Sequence, residues 1–343
     1  AYSELTMNLC EITDCDSLAI SVYDSSTIVI DSSEITGNGG AGLVVDSSTV
    51  AITVTNLNDN HFGIFASDSD ISLLRCEISE NDSFGISVID SSVVQIDSSE
   101  ISRNAGNGNQ ANSSSIELTR TLFEENEAGV LGSNTDLTIQ NCESNRNRTR
   151  GIWVVDSSIV QIDSSQISEN EIQGFLIYSS YVEINHSIIT NNESGLFSIY
   201  SHVSLGNSEI SGSHTWGINC YAESNIQLDS CTISYNSLES PYGAISINQS
   251  YLEVNLCIIQ GNRGSDGAGF TCVESNMRIS NSFIFDNDGR FGGVLHVDSS
   301  CVSVINTTIL NNSANLGSVF YMNNTNSIRV VNSILWGNQS PAI

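Results

Sequence analysis

Lysine is absent, and ten arginines face 39 acidic residues, which leaves a formal net charge of −29. That imbalance argues against nucleic acid and anionic membrane surfaces as partners, and it favours basic partners or divalent cations. No apolar run approaches the ~20 residues of a membrane span, so membrane insertion is not expected. No charged-then-apolar leader stands at Ala1. The sequence therefore reads as a mature segment or an excised piece. It enters and leaves directly on a repeat, ending Pro341-Ala342-Ile343, so its ends are expected either to be trimmed or to pair with neighbouring copies or flanking sequence. Proline is nearly missing too, and Pro241 and Pro341 both fall outside the expected strands.

What the chain has in abundance is repetition. Val154 to Asn170 is a near copy of residues 88–104, and Tyr23 to Asn38 is a related copy further upstream. Within one copy, Val160 and Ile162 alternate with polar neighbours, Ser165 and Ile167 alternate again, and Phe175 and Ile177 follow the punctuation of Asn170 and Gly174. The period of two predicts three short strands and three corners per repeat. The opening apolar pair recurs from Leu5/Met7 and Ile28/Ile30, through Val94/Ile96 and Val160/Ile162, to Val302/Val304 and Ile328/Val330, giving fifteen copies that tile the chain. Spacing runs 22, 21 and 23 residues and then repeats, so Asp31, Asp97, Asp163 and Asp229 recur at outward positions, as do Gln95, Gln161 and Gln227.

Two inward columns accompany the apolar pairs. Five residues after each first apolar position stands Ser, Thr or Cys, from Cys10, Ser33 and Thr55 to Ser282, Thr307 and Ser333. Ten residues after it stands Asn, from Asn38 to Asn338, with Cys15 and Ser213 as the exceptions. An inward Asn can bond its own turn and the amide of the next copy, so the column predicts a ladder. Repeats this short cannot bury an apolar face alone and must coil and stack. The expected fold is an all-β, single-stranded parallel β-solenoid with three sheets and about fifteen rungs of 21–26 residues. At roughly 4.8 Å per rung, that is a rod of about 70 Å. It is expected to be one continuous domain over 1–343, with regular rungs in 1–249 and longer rungs with expanded loops in 250–343.

These rungs resemble the right-handed parallel β-helix of the pectate-lyase-like superfamily. Phe283-Ile284-Phe285-Asp286-Asn287, Gly292-Gly293-Val294 and Asn332 to Asn338 are similar to the rungs of secreted and surface β-helix proteins of the polymorphic outer-membrane protein type. The resemblance implies fold more than function. It includes polysaccharide lyases, which use a basic residue beside an acidic calcium cluster, and glycoside hydrolases, which use paired carboxylates. Here Asn134-Thr135-Asp136 matches a hydrolase fragment, but none of the motifs that should follow is present. The five histidines share no column, and no Thr-x-Thr array marks an ice-binding face.

Four constellations are candidate sites. Asp24, Asp46, Asp68 and Asp90 recur every 22 residues at a corner, so they are either a Ca²⁺-binding acidic edge or turn caps of the Asp-Ser-Ser pattern. No other cofactor is expected. Arg146, Arg148 and Arg150 form either an anion-docking point or local neutralisation of an acidic surface. Among the cysteines, Cys231 and Cys257 face each other on adjacent rungs within disulfide reach. Cys220 and Cys272 are two rungs apart, and Cys301 points outward as a candidate intermolecular thiol. Of the Asn-x-Ser/Thr sequons, those at Asn81, Asn147, Asn192 and Asn338 belong to the inward ladder. The plausible glycosylation acceptors are Asn112, Asn185, Asn248, Asn306, Asn311 and Asn323.

Together these features predict a non-enzymatic structural segment of an extracellular or cell-surface glycoprotein, a filament subunit, stalk or adhesin. Its expected partners are other copies of itself, flanking segments or other surface proteins. The alternative is a carbohydrate-binding or carbohydrate-active β-helix, with the later loops and the arginine cluster as its site and glycans as partners.

Overall fold

The computed structural model describes residues 3–237, 242–324 and 327–340. Both prolines and the terminal Pro341-Ala342-Ile343 lie outside the described residues. The chain falls into two compact units, Ala1–Glu171 and Ile172–Ile343. Each is a parallel β-solenoid, and no helix occurs among the described residues.

In the first unit, the first sheet runs from Glu4–Asn8 to Ile159–Asp163, the second from Glu11–Thr13 to Gln166–Ser168, and the third from Ile20–Val22 to Arg150–Val155. Every apolar pair that opens a repeat lies in a first-sheet strand in register with its neighbours, so Ile28 stands over Val50, and Val94 over Ile116. Most turns contribute two inward aliphatics from the first sheet, one from the second and two from the third, with Ser144 in the second sheet and Asn109 in the third as exceptions. Ile96, Ile101 and Val88 are all essentially fully buried. Gln95 and Gln161, on the outward face, are exposed. The alternation works because one face of each sheet packs on the core while the other meets solvent.

The corners need backbone that turns sharply within one or two residues. One residue with positive φ closes most of them, and many are not glycine: Val54, Arg75, Arg120 and Asn141 have φ between 48° and 53°. Such a conformation costs of order 1 kcal/mol for an L residue, and the cross-turn bonds at the adjacent positions hold it.

Two predicted ladders supply those bonds. Asn38 donates from Nδ2 to Asn60 Oδ1 at 2.8 Å, Asn81 to Asn104 at 2.8 Å, and Asn104 to Asn126 at 2.9 Å. In the small-residue column, Cys76 N–H donates to Ser99 Oγ and Cys142 N–H to Ser165 Oγ, each at 3.1 Å. A third ladder goes beyond the two that the spacing predicts. Ser26, Ser48, Ser69 and Ser92 form a column in which each backbone N–H donates to the next hydroxyl at 3.1–3.2 Å. Its signal in the sequence is a Ser or Thr two residues before nearly every opening apolar position.

The second unit repeats the plan, with a first sheet from Tyr181–Asn185 to Ser327–Val331. Its Asn ladder runs from Asn236 through Asn262, Asn287 and Asn312 to Asn338 at 2.9–3.2 Å. The lengthened rungs do not form loose loops. Their extra residues make a fourth parallel sheet, Arg263–Asp266, Asp288–Phe291 and Ser313–Leu316, between the second and third.

Candidate functional site

The four aspartates do not share one column. Val22 pairs with Val45, Val45 with Ala66 and Ala66 with Val88, so successive turns advance by unequal numbers of residues. Asp24, Asp68 and Asp90 occupy the corner with positive φ, but Ser47 holds that position in the intervening turn. Asp46 ends the strand Ala41–Asp46, one residue early, where its carboxylate accepts the Ser47 hydroxyl at 3.0 Å. The even 22-residue recurrence is thus offset by an extra corner residue, which puts Ser25 beside Asp24, and Ser91 beside Asp90, in the left-handed region. Only Asp68 and Asp90 face each other on consecutive turns, with Asp68 N–H donating to the Asp90 carbonyl at 3.0 Å. Among the described residues, no group of three or more His, Cys, Asp and Glu could hold a metal ion.

The arginines sit at the corner after Glu143–Asn145 and at the start of Arg150–Val155. Arg146 pairs with Glu124 and lies 3.8 Å from Glu125 and 4.0 Å from Glu169. Arg148 donates to the carbonyls of Asn104 at 3.0 Å and Ala105 at 2.7 Å, with Glu127 3.7 Å away. Arg150 lies over the Trp153 ring at 4.4 Å, and burial lowers its guanidinium pKa against the opposing charge of Glu127. The structure brings the three together, and each engages its own unit. This geometry matches local neutralisation of an acidic surface, with the charges already answered by side chains, carbonyls or an aromatic face.

The cysteines separate by burial. Cys76, Cys142, Cys231 and Cys257 fill the inward small-residue column, and Cys220 and Cys272 lie in another buried column with Ile247 between them. Burial pushes the Cys142 and Cys272 thiols up to about 11 and the Cys220 thiol higher still. Cys231 and Cys257 are neighbours, with Cys231 N–H donating to Cys257 Sγ at 3.4 Å. The Cys231 sulfur beside it, and after that burial, push the Cys257 thiol up. Cys301 is exposed at the start of Cys301–Ile305.

The sequon positions differ in burial. Asn81, Asn147 and Asn192 are buried in the ladder, and Asn338 accepts from Asn312. Asn112, Asn306 and Asn311 are exposed, while Asn185, Asn248 and Asn323 are half-buried. Thr325, the third residue of the Asn323 sequon, lies outside the described residues. Asn306 is also the end of an outward amide chain that the sequence did not reveal: Asn255 donates to Asp229, Asn281 to Asn255 and Asn306 to Asn281, at 2.6, 2.8 and 3.2 Å.

The lengthened rungs bound a notch of about 420 Å³ lined by Tyr235, Gln260, Gly261, Arg263, Phe285, Asp286 and Asp288. The Tyr235 ring lies where a side chain at Gly261 would be: a Cβ there would stand 2.5 Å from Tyr235 Cε1, and φ is +62°. Glycine at this corner therefore both permits the turn and admits the ring. The notch combines aromatic faces with carboxylate, amide and guanidinium groups, a mixture suited to polyhydroxylated ligands.

A family model described as "Right handed beta helix region" matches residues 1–74, 63–205 and 199–343. No curated protein matches the sequence. Among solved structures, the tailspike protein gp49 from Pseudomonas phage LKA1 is 14% identical with a TM-score of 0.44, covering 92% of this chain and 52% of the tailspike. This chain therefore spans about half that tailspike's length. The A-module of the mannuronan C-5 epimerase AlgE6 from Azotobacter vinelandii is 11% identical with a TM-score of 0.43, covering 99% and 91%. A mutant of the PL6 family alginate lyase AlyGC is 10% identical with a TM-score of 0.29, covering 96% and 73%. At these scores, nothing about this chain's chemistry follows from theirs.

Proposed function

The chain belongs to the right-handed β-helix family, and from that premise we propose that it is a non-enzymatic structural segment of an extracellular or cell-surface protein, serving as a filament subunit, stalk or adhesin. The observation that carries this reading is the asparagine ladder. In the first unit, Asn81, Asn104, Asn126 and Asn147 each bond the next turn at a depth where water does not compete. Solenoids built this way resist bending and fraying because every turn is tied to its neighbours by side chains as well as by backbone. The outward aspartates and glutamines add a periodic polar surface, and Cys301 a free thiol on that surface. Glycans on Asn112, Asn306 and Asn311 suit the same setting.

Negative-stain electron microscopy, with calcium and with chelator, tests the reading. Ordered filaments support self-assembly, and their dependence on calcium would bring the Asp68 and Asp90 corner back as a cation site. Detectable cleavage of a polysaccharide panel would overturn the non-enzymatic part.

A second reading is favoured by the notch at Tyr235, Arg263, Phe285 and Asp288: the lengthened rungs bind a carbohydrate. Glycan-array binding that is lost in Tyr235→Ala and kept in Arg146→Ser would support it. Equal binding by both variants would remove the notch from consideration.

A further inference from the structure

We propose that Cys231 and Cys257 form a native intramolecular disulfide that staples the first lengthened turn of the solenoid. Thr232 and Ile258 are cross-strand partners, so the cysteines immediately before them are also direct neighbours on successive turns. Parallel neighbours stand about 4.8 Å apart, within the Cα range of a disulfide. The close approach is explicit: Cys257 Sγ accepts the Cys231 backbone N–H at 3.4 Å. Each sulfur is also held by the carbonyl two residues before it, at 3.3 Å from Asp229 O and 3.1 Å from Asn255 O.

The pairing is particular to this place in the column. Cys10 faces Ser33, Cys76 faces Ser99 and Cys142 faces Ser165. Two cysteines meet only across the turn whose ends are 26 residues apart, where earlier turns take 21–23. Just beyond that turn the fourth sheet begins at Arg263–Asp266. A longer turn has more freedom to lose on closing, and a cross-link at its two ends removes that freedom from the unfolded chain.

The chemistry needs a two-electron oxidant, and a small-molecule disulfide such as oxidised glutathione supplies it. The Cys231 thiolate attacks one sulfur of that disulfide, forming a mixed disulfide and releasing one small thiolate. The Cys257 thiolate then attacks the Cys231 sulfur and releases the second. Two protein thiols are oxidised, one small disulfide is reduced to two thiols, and the two protons shed by the cysteines end on the released thiolates. Both protein sulfurs are buried in the closed turn, so the exchange takes place before the turn closes, during folding.

The test is refolding of the full chain in a defined mixture of oxidised and reduced glutathione, followed by alkylation in denaturant and peptide mapping by mass spectrometry. The defined buffer separates this inference from the extracellular reading on which its natural setting rests. The expected result is alkylation of seven of the nine cysteines, a mass lower by two hydrogens, and one linked peptide pair joining Cys231 to Cys257. Reductant should then lower the melting temperature of the wild type by about 5 °C or more and leave Cys231→Ser unchanged. Nine alkylated cysteines in the wild type, or a link that omits either residue, overturns the proposal. Mapping the wild type decides the matter even where Cys231→Ser fails to fold.

Discussion

Asn147 donates from Nδ2 to Asn170 Oδ1 at 2.9 Å while its own Oδ1 accepts the backbone N–H of Asn126 at 3.1 Å. One buried amide thus ties together three successive turns. Because each Asn holds the one before it, removing any member leaves donors in the preceding turn without an acceptor, and the loss exceeds that of a single hydrogen bond.

Asn104 is the position where that loss is easiest to measure. Its Oδ1 accepts both the backbone N–H and Nδ2 of Asn81, at 3.1 and 2.8 Å, and its Nδ2 donates to the Ile78 carbonyl at 3.1 Å and to Asn126 at 2.9 Å. Asn104→Leu strands the Asn81 backbone N–H, takes one of two acceptors from the Asn81 Nδ2, which keeps the Leu57 carbonyl at 3.1 Å, and takes a donor from the Ile78 carbonyl, without water to replace them. The expected cost is about 3–5 kcal/mol by urea denaturation. A loss below about 1 kcal/mol would mean that the ladder is a packing feature and not a source of stability.

Ser213 interrupts the same column in the second unit. Its backbone N–H donates to Asn236 Oδ1 at 3.1 Å, but its buried hydroxyl has no partner among the described residues. The site otherwise matches its neighbours: a Cβ at Gly195 would meet the Ser213 hydroxyl at 3.2 Å, as one at Gly174 would meet the Asn192 amide. Ser213→Asn should complete the ladder and raise stability by about 1 kcal/mol, seen as a higher urea midpoint with an unchanged slope.

Asn109 presents the opposite case. It is fully buried in the third sheet of the first unit, in the column of Ile86 and Val130, and neither its amide oxygen nor its amide nitrogen has a partner among the described residues. Next to it the core is thin, because Ala111 pairs with Gly132, where an added Cβ would find nothing nearer than 3.7 Å. Asn109→Ile removes the unpaired amide and fills apolar space, so it should stabilise the protein by about 1–3 kcal/mol. A destabilised variant would show that the amide is paired to something beyond the protein's own groups.

Much of this architecture was legible because a solenoid writes its contacts into its period. The apolar pairs, the Asn column and the small-residue column each recur at fixed offsets, and residues at equal offsets stack. The third ladder, Ser26 to Ser92, obeys the same rule but lies inside the Asp-Ser-Ser corners, where the aspartates are the more conspicuous residues. Those aspartates show where counting fails. An even spacing of 22 predicts one column only if every corner uses the same number of residues, and the doubled corner at Asp24-Ser25 breaks that condition. The fourth sheet was hidden for a related reason: residues such as Arg263 and Gly264 pair with their counterparts one turn on, Asp288 and Gly289, and carry no apolar alternation to announce a strand. The partners of Arg148 were invisible because two of them are backbone carbonyls, which every residue has.

The buried thiols make stability depend on alkaline pH. Burial raises Cys142 and Cys272 from 9.0 to about 11 and raises Cys220 further, so all three stay protonated in the folded state while the unfolded chain ionises. The sign follows from proton counting: above pH 9 the unfolded state binds fewer protons than the folded one, so unfolding is favoured as pH rises. The stability is complete below about pH 9 and is lost progressively towards pH 11, by roughly 2–3 kcal/mol for each thiol held that far above its ordinary value. Urea midpoints at pH 8, 9 and 10 should fall steadily in the wild type and more shallowly when Cys142→Ser, Cys220→Ala and Cys272→Ala are combined. Tyrosines ionise in the same range, and the triple variant keeps all of them, which isolates the thiol contribution. Parallel slopes for the two proteins would place the alkaline sensitivity elsewhere.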